Sequence, residues 1–185
     1  MKQISFLFFG LLLFFTSVHS QEIKDPVEVT PTLEKKIIQE TELEAAQFQS
    51  NLKKEKAGKL AIEFSLDTFR IERFSEKYME YDYSTAGMRT ATYVSAKKYD
   101  SLLNKYYKKL LAVLKGNDKK SLIQAQKAWI AFRDNEIKLI DTISKDEYSG
   151  GGTMQQLTDA SEYLNLILTR TVTIYQHLSR ATQDE

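Results

Sequence analysis

The chain has no cysteine, which removes disulfide staples, thiol nucleophiles and thiolate zinc sites together. Proline is almost as scarce: Pro26 and Pro31 are the only two, so nothing beyond Thr32 carries that helix breaker. Histidine is limited to His19 and His177, which leaves no metal-binding cluster of imidazoles. Beyond Gly10, the glycines fall at 58, 87, 116 and 150–152, at the ends of periodic stretches rather than inside them. Net charge is lacking as well. With 26 basic and 25 acidic residues and no basic stripe interleaved with aromatics, the chain offers no electrostatic footprint for nucleic acid. Sustained two-residue alternation is also absent, and with it the pattern of a sheet.

What is present begins with a leader. Met1-Lys2 is a short basic start, Ile4 to Phe15 is nearly unbroken apolar sequence, and Val18-His19-Ser20 supplies the cleavage positions. Such a segment reads as a secretory signal over residues 1–20, too short and wrongly flanked for a membrane span. No later segment is apolar enough to cross a bilayer, so the mature chain is expected to be exported, periplasmic or secreted. Residues 21–32 read as a polar linker, 33–82 as N-terminal helices, 83–180 as a helical domain and 181–185 as a tail. Thr30 followed by Pro31 fits a helix start, with threonine as cap and proline in the first turn.

Helical periodicity carries the rest. Leu33 to Lys56 has a thin apolar stripe through Ile37, Leu43 or Glu44, Phe48 and Leu52, while Leu60 to Tyr81 is more aromatic. Ser84 or Thr85 begins the third helix. Three longer helices show apolar residues at alternating steps of three and four: Tyr93 to Leu114, Leu122 to Ile143, and Leu157 to Leu178. Asn117 or Asp118 can cap the fourth helix, and Thr153 with Gln156 can form a capping box on the fifth. The expected fold is all-α, an antiparallel bundle of about five helices joined by short connections.

Several polar side chains sit on these apolar faces. Asp100 and Glu136 interrupt their stripes, and Gln126 and Arg133 do the same on a second strip of the fourth helix that runs from Ile123 to Ile140. Arg170 follows Tyr163 and Leu166 at helical spacing. Buried charges persist when paired, so Arg133 and Arg170 are expected to find partners among Asp100, Asp134 and Glu136. Such a network, with Asn104 beside it, fixes helix register in the plainer reading and serves a ligand in the sharper one. Trp129 and Phe132 are expected to anchor the core beside it. The segment Tyr148-Ser149-Gly150-Gly151-Gly152-Thr153 is a loop that opens the last helix.

The ordered set Gly87-Met88-Arg89-Thr90-Ala91, Lys97-Lys98-Tyr99-Asp100, Leu103-Asn104, Ala125-Gln126, Ala128-Trp129, Phe132-Arg133-Asp134, Gly151-Gly152-Thr153 and Thr169-Arg170 resembles the lysozyme inhibitor LprI-like family over about residues 85–178. Many members carry cysteines where this chain has Ala91, Ile137 and Glu162, so the resemblance transfers without its disulfides. It implies a small exported helical domain and, for members with an assigned activity, inhibition of lysozyme. A lysozyme cleft holds two carboxylates. The 148–153 loop could enter such a cleft, because glycines allow close backbone approach, hydroxyls donate, and a helix N-terminus follows. Its plainer role is a turn between helices.

Two other function classes compete. Ten tyrosines, with clusters at Tyr106-Tyr107 and at Tyr78, Tyr81 and Tyr83, suggest sugar platforms and hence a peptidoglycan-binding or structural envelope module. Catalysis would need His177 in a triad or a carboxylate pair in a cleft, and the usual constellations are missing. The expectation is a non-catalytic protein that uses no cofactor and no metal and engages a lysozyme-type hydrolase or an envelope component.

Overall fold

The computed structural model describes residues 25–54 and 56–183. The signal expected over residues 1–20 lies outside the described residues, as do the first residues of the linker and the last two of the tail. Six helices follow in order: α1 (Pro31–Lys54), α2 (Lys59–Tyr81), α3 (Thr85–Val113), α4 (Gly116–Ile143), α5 (Asp146–Ser149) and α6 (Thr153–Thr182). Five are long, as the periodicity implies, and α5 is a single added turn. No described helix is long and apolar enough to cross a membrane.

Local chemistry explains several boundaries. The Leu33 amide donates to Thr30 Oγ1 at 3.3 Å, so threonine caps α1 with Pro31 at its first position. At α3 the Ser84 hydroxyl accepts from the Gly87 amide at 3.0 Å and donates to Asp82 Oδ1 at 2.6 Å. Gly87 is buried there, and a side chain at that position would run into both the carbonyl and the carboxylate of Asp82. Only glycine lets α3 start so close to the end of α2.

Consecutive long helices run antiparallel. Glu42 meets Arg70 across α1 and α2, and Glu63 and Asp67 meet Lys109 and Lys105 across α2 and α3. On the far side Gln126 of α4 meets Arg170 of α6. Because α4 carries the chain back, α6 runs parallel to α3, and these two share the most extensive interface in the molecule. Small side chains are buried on both helices, Ser95 and Ala96 on α3 and Ala160 and Thr171 on α6. Thr171 Oγ1 donates to the Ile167 carbonyl at 2.8 Å and lies 3.3 Å from the Tyr99 carbonyl, which ties the two backbones together.

The main core lies between α2, α3 and α6, around Leu103, Tyr106, Leu110, Ile167, Ile174 and Leu178. Phe64 and Tyr175 stack at 3.8 Å between ring centres, and both meet Tyr106 edge-on. Burial of Tyr106 pushes its phenol well above the usual range, and its hydroxyl lies 3.0 Å from Asp67. A smaller core joins α1 to α2 through Ile37, Phe74 and Tyr78.

Two sequence expectations need correction. On α1 the buried residues are Ile37, Thr41 and Ala45, while Leu43 is exposed. On α4 only Leu122 is buried, and Phe132, Leu139 and Ile143 are about half exposed. The helix faces α6 with the line Leu122, Gln126, Trp129 and Arg133, midway between the two apolar strips of its sequence. Packed mainly against one neighbour, α4 has cover for a fraction of its circumference, and both strips end up on its flanks.

Candidate functional site

The loop between α4 and α6 is built from its own hydrogen bonds. Ser149 Oγ donates to the Ser144 carbonyl at 2.9 Å and accepts from the Gly151 amide at 3.0 Å. The Gly150 amide closes the α5 turn on the Asp146 carbonyl at 3.0 Å. The Ser144 hydroxyl bonds to Asp159 of α6, which also accepts from Gln155 at 2.8 Å. Gly150, Gly151 and Gly152 have φ of +78°, +71° and +92°, conformations that side chains rarely adopt. A side chain on Gly151 would also strike the Asp146 carboxylate. The result is a braced projection with Tyr148 62% exposed and Met154 similarly open at its shoulders.

The expected caps of the last two long helices are not formed. Gly152 is the N-cap of α6, so Thr153 falls inside the helix and makes no side-chain cap. Gln156 instead accepts from Arg89 of α3. The leading amides of α6 therefore lack a side-chain cap and point positive potential toward the loop. At α4 the cap position is Lys115, which places Asn117 and Asp118 in the first turn, where Asp118 complements the helix dipole without capping.

Farther along α4 and α6, two guanidinium groups approach the Trp129 ring, Arg133 at 5.4 Å and Arg170 at 5.7 Å from its centre. Arg133 donates to its neighbour Asp134 at 2.9 and 2.7 Å, on the exposed side of the helix. Arg170 donates through Nε and Nη2 to Gln126 Oε1, both at 3.0 Å. The expected acid partner of Arg170 is therefore replaced by a neutral amide. Burial without a compensating carboxylate lowers the pKa of Arg170. Asp100 bonds to Asn104 on its own helix, with Nδ2 3.3 Å from Oδ2. Glu136 is half-buried with no hydrogen-bonded or ion-paired partner among the described residues. Thus Gln126, Trp129, Arg133, Asp134 and Arg170 come together, while Asp100, Asn104 and Glu136 stand apart from them.

Trp129, Phe132, Leu166, Thr169 and Arg170 line a surface groove of about 370 Å³. Phe132 is 53% exposed and borders this groove instead of anchoring the core. Trp129 is half-buried and packs on the main core. At the end of α6, His177 Nδ1 lies 2.6 Å from Arg180. Burial lowers its pKa, with Arg180 and Arg170 contributing, which is a cationic setting rather than the carboxylate-oriented one of a catalytic triad.

A cluster of ion pairs lies where sequence reading did not place it, between α1 and α2. Glu44 accepts from Arg73 and, at 2.9 Å, from Lys77; Lys77 also reaches Glu40 at 3.2 Å. The hydrogen bond from Arg73, then that from Lys77, holds Glu44 down at about 2. Abundant Glu and Lys on both helices was the only signal, and composition does not say which residues face each other.

Fold and surface together define an all-α bundle with a braced loop between α4 and α6 and a groove lined by Trp129, Phe132 and Arg170. The chain belongs to the lysozyme inhibitor LprI family, whose sequence profile matches residues 76–173, from the end of α2 through most of α6. No curated protein and no solved structure matches the chain.

Proposed function

We infer that the protein is an exported, non-catalytic inhibitor of a lysozyme-type hydrolase and that the Tyr148–Thr153 loop is the part that enters the enzyme's cleft. The observation that carries this reading is the braced projection itself. Tyr148 is held outward on a loop whose conformation is set by three left-handed glycines and by Ser149, so little entropy is lost on docking. An aromatic ring suits a cleft built for sugar rings, and its hydroxyl can donate to a catalytic carboxylate. The leading amides of α6, without a side-chain cap, add donors and positive potential at the same end.

A second docking mode is favoured by one observation, the half-buried Arg170 that meets no carboxylate among the described residues. A carboxylate of the hydrolase could take that role in the Trp129–Arg170 groove.

The test is a lysis assay on suspended peptidoglycan, with the chain beginning at Gln21 titrated against several lysozyme classes. Dose-dependent slowing of at least one class is expected. Tyr148→Ala should weaken it roughly 30-fold or more, as loss of a hot-spot aromatic does. If Arg170→Gln weakens it instead while Tyr148→Ala does not, docking is through the groove. Inhibition untouched by both variants removes both modes. Retention on insoluble peptidoglycan with no effect on any lysozyme would replace inhibition with an envelope-binding role.

A further inference from the structure

A second cavity lies only partly within the family-matched residues, in the groove where α1 and α3 approach each other over α2. Its volume is about 350 Å³, and Ile38, Ile71, Phe74 and Leu102 supply its apolar lining. Ligand sites commonly combine such a lining with a few placed polar groups, in volumes of roughly 300–1,000 Å³.

Three cations, Arg70, Lys98 and Lys105, share this groove with two carboxylates, Glu42 and Asp67. Arg70 Nε donates to both oxygens of Glu42, at 2.9 and 3.0 Å. Lys105 is held by Asp67 and, at 2.8 Å, by Glu63. Lys98 has no carboxylate partner among the described residues, and its ammonium sits 4.5 Å from the centre of the Phe74 ring. Thr41 also lines the groove, at 3% exposure, and its hydroxyl has no hydrogen-bond partner among the described residues. Buried hydroxyls are normally satisfied.

We propose that this groove binds a small amphipathic carboxylate, with an aliphatic tail on Ile71, Phe74 and Leu102 and its carboxylate taken by Lys98. The charge pattern selects the class. The one ion without an opposite partner is a cation, so an anionic head gains a charge-assisted contact, while a cationic amphiphile meets only repulsion from it. A purely apolar ligand would bury Lys98 further without pairing it. The site joins residues of α1 and α2 up to Phe74, which precede the matched residues 76–173, to Lys98 and Leu102 of α3, which lie within them, and none of its lining belongs to the 148–153 loop.

The experiment is titration calorimetry of the chain from Gln21 with decanoate, kept below its micelle-forming concentration, alongside decanol and decylammonium. Amide chemical shifts recorded in parallel report where the ligand sits. Expected are one decanoate per chain, shifts gathered around residues 38–42, 67–74 and 98–105, and at least tenfold weaker binding of decanol and decylammonium. Lys98→Met, which keeps an apolar stem over Phe74, should weaken decanoate about tenfold. The wild-type chain serves as its own folding control, since the ligand comparison needs no variant. No binding at millimolar decanoate, equal binding of decanol, or shifts at Trp129 instead would each overturn the site.

Discussion

The two outer helices of the bundle are attached in opposite ways. α1 is sewn to α2 by Glu40, Glu42 and Glu44 against Arg70, Arg73 and Lys77, over a core that buries Ile37 and Ala45 completely. α4 rests on α6 through Leu122, Trp129 and the Gln126–Arg170 contact, and leaves Ile123, Ile130, Phe132, Leu139 and Ile143 substantially exposed. The family profile covers all of α4 and none of α1. Within the family-matched residues α4 therefore keeps much of its apolar surface outward, while α1, which precedes them, spends Glu40, Glu42 and Glu44 in internal pairs. A helix held this lightly suits a surface that works by contact.

The contrast can be broken most forcefully by truncation. Ile37→Ala, at a site with no exposure, should cost about 2–4 kcal/mol in denaturant unfolding. Phe132→Ala, half in solvent already, should cost about 1 kcal/mol or less. Equal losses would mean that α4 is as firmly integrated as α1. A smaller effect comes from pH. The Glu44 carboxyl is lowered from 4.5 to about 2 in the folded chain, chiefly by its hydrogen bond from Arg73. Because the folded value is the depressed one, its stabilising share is complete above pH 4.5 and is lost as pH falls toward 2. The side chain is partly exposed, so that share is modest, and added salt should reduce it. Glu44→Gln should flatten the stability curve between pH 4.5 and 2 relative to wild type, measured by thermal melts. A curve unchanged by the substitution would dissociate Glu44 from the attachment of α1.

Much of this architecture was legible in the residues. The five long helices, the Thr30-Pro31 start, a start of α3 at Ser84 or Thr85 and the inward stripe of α6 follow from periodicity and capping chemistry. The facing of α4 was not, because its inward line takes Leu122 and Trp129 from one strip and Gln126 and Arg133 from the other, and periodicity alone does not say which side a neighbour covers. The attachment of α1 was hidden for another reason. Its inward positions are Ile37, Thr41 and Ala45, two of them weakly apolar, so a search for large hydrophobics lands on exposed Leu43 instead. Arg170 shows the limit of residue-type reasoning about ions. Its charge predicted an acid partner, yet Gln126, one turn before Trp129, has an amide carbonyl that accepts both N–H groups. The glycine run announced a turn, and only the backbone angles with the Ser149 bonds show that the turn is braced.

The most direct measurement is hydrogen exchange on the chain alone and saturated with a lysozyme that it slows. Docking by the loop predicts slowed exchange across residues 146–156, with α1 unchanged between the two states. Slowing confined to α1 and α2, with the glycine loop exchanging as before, would contradict it.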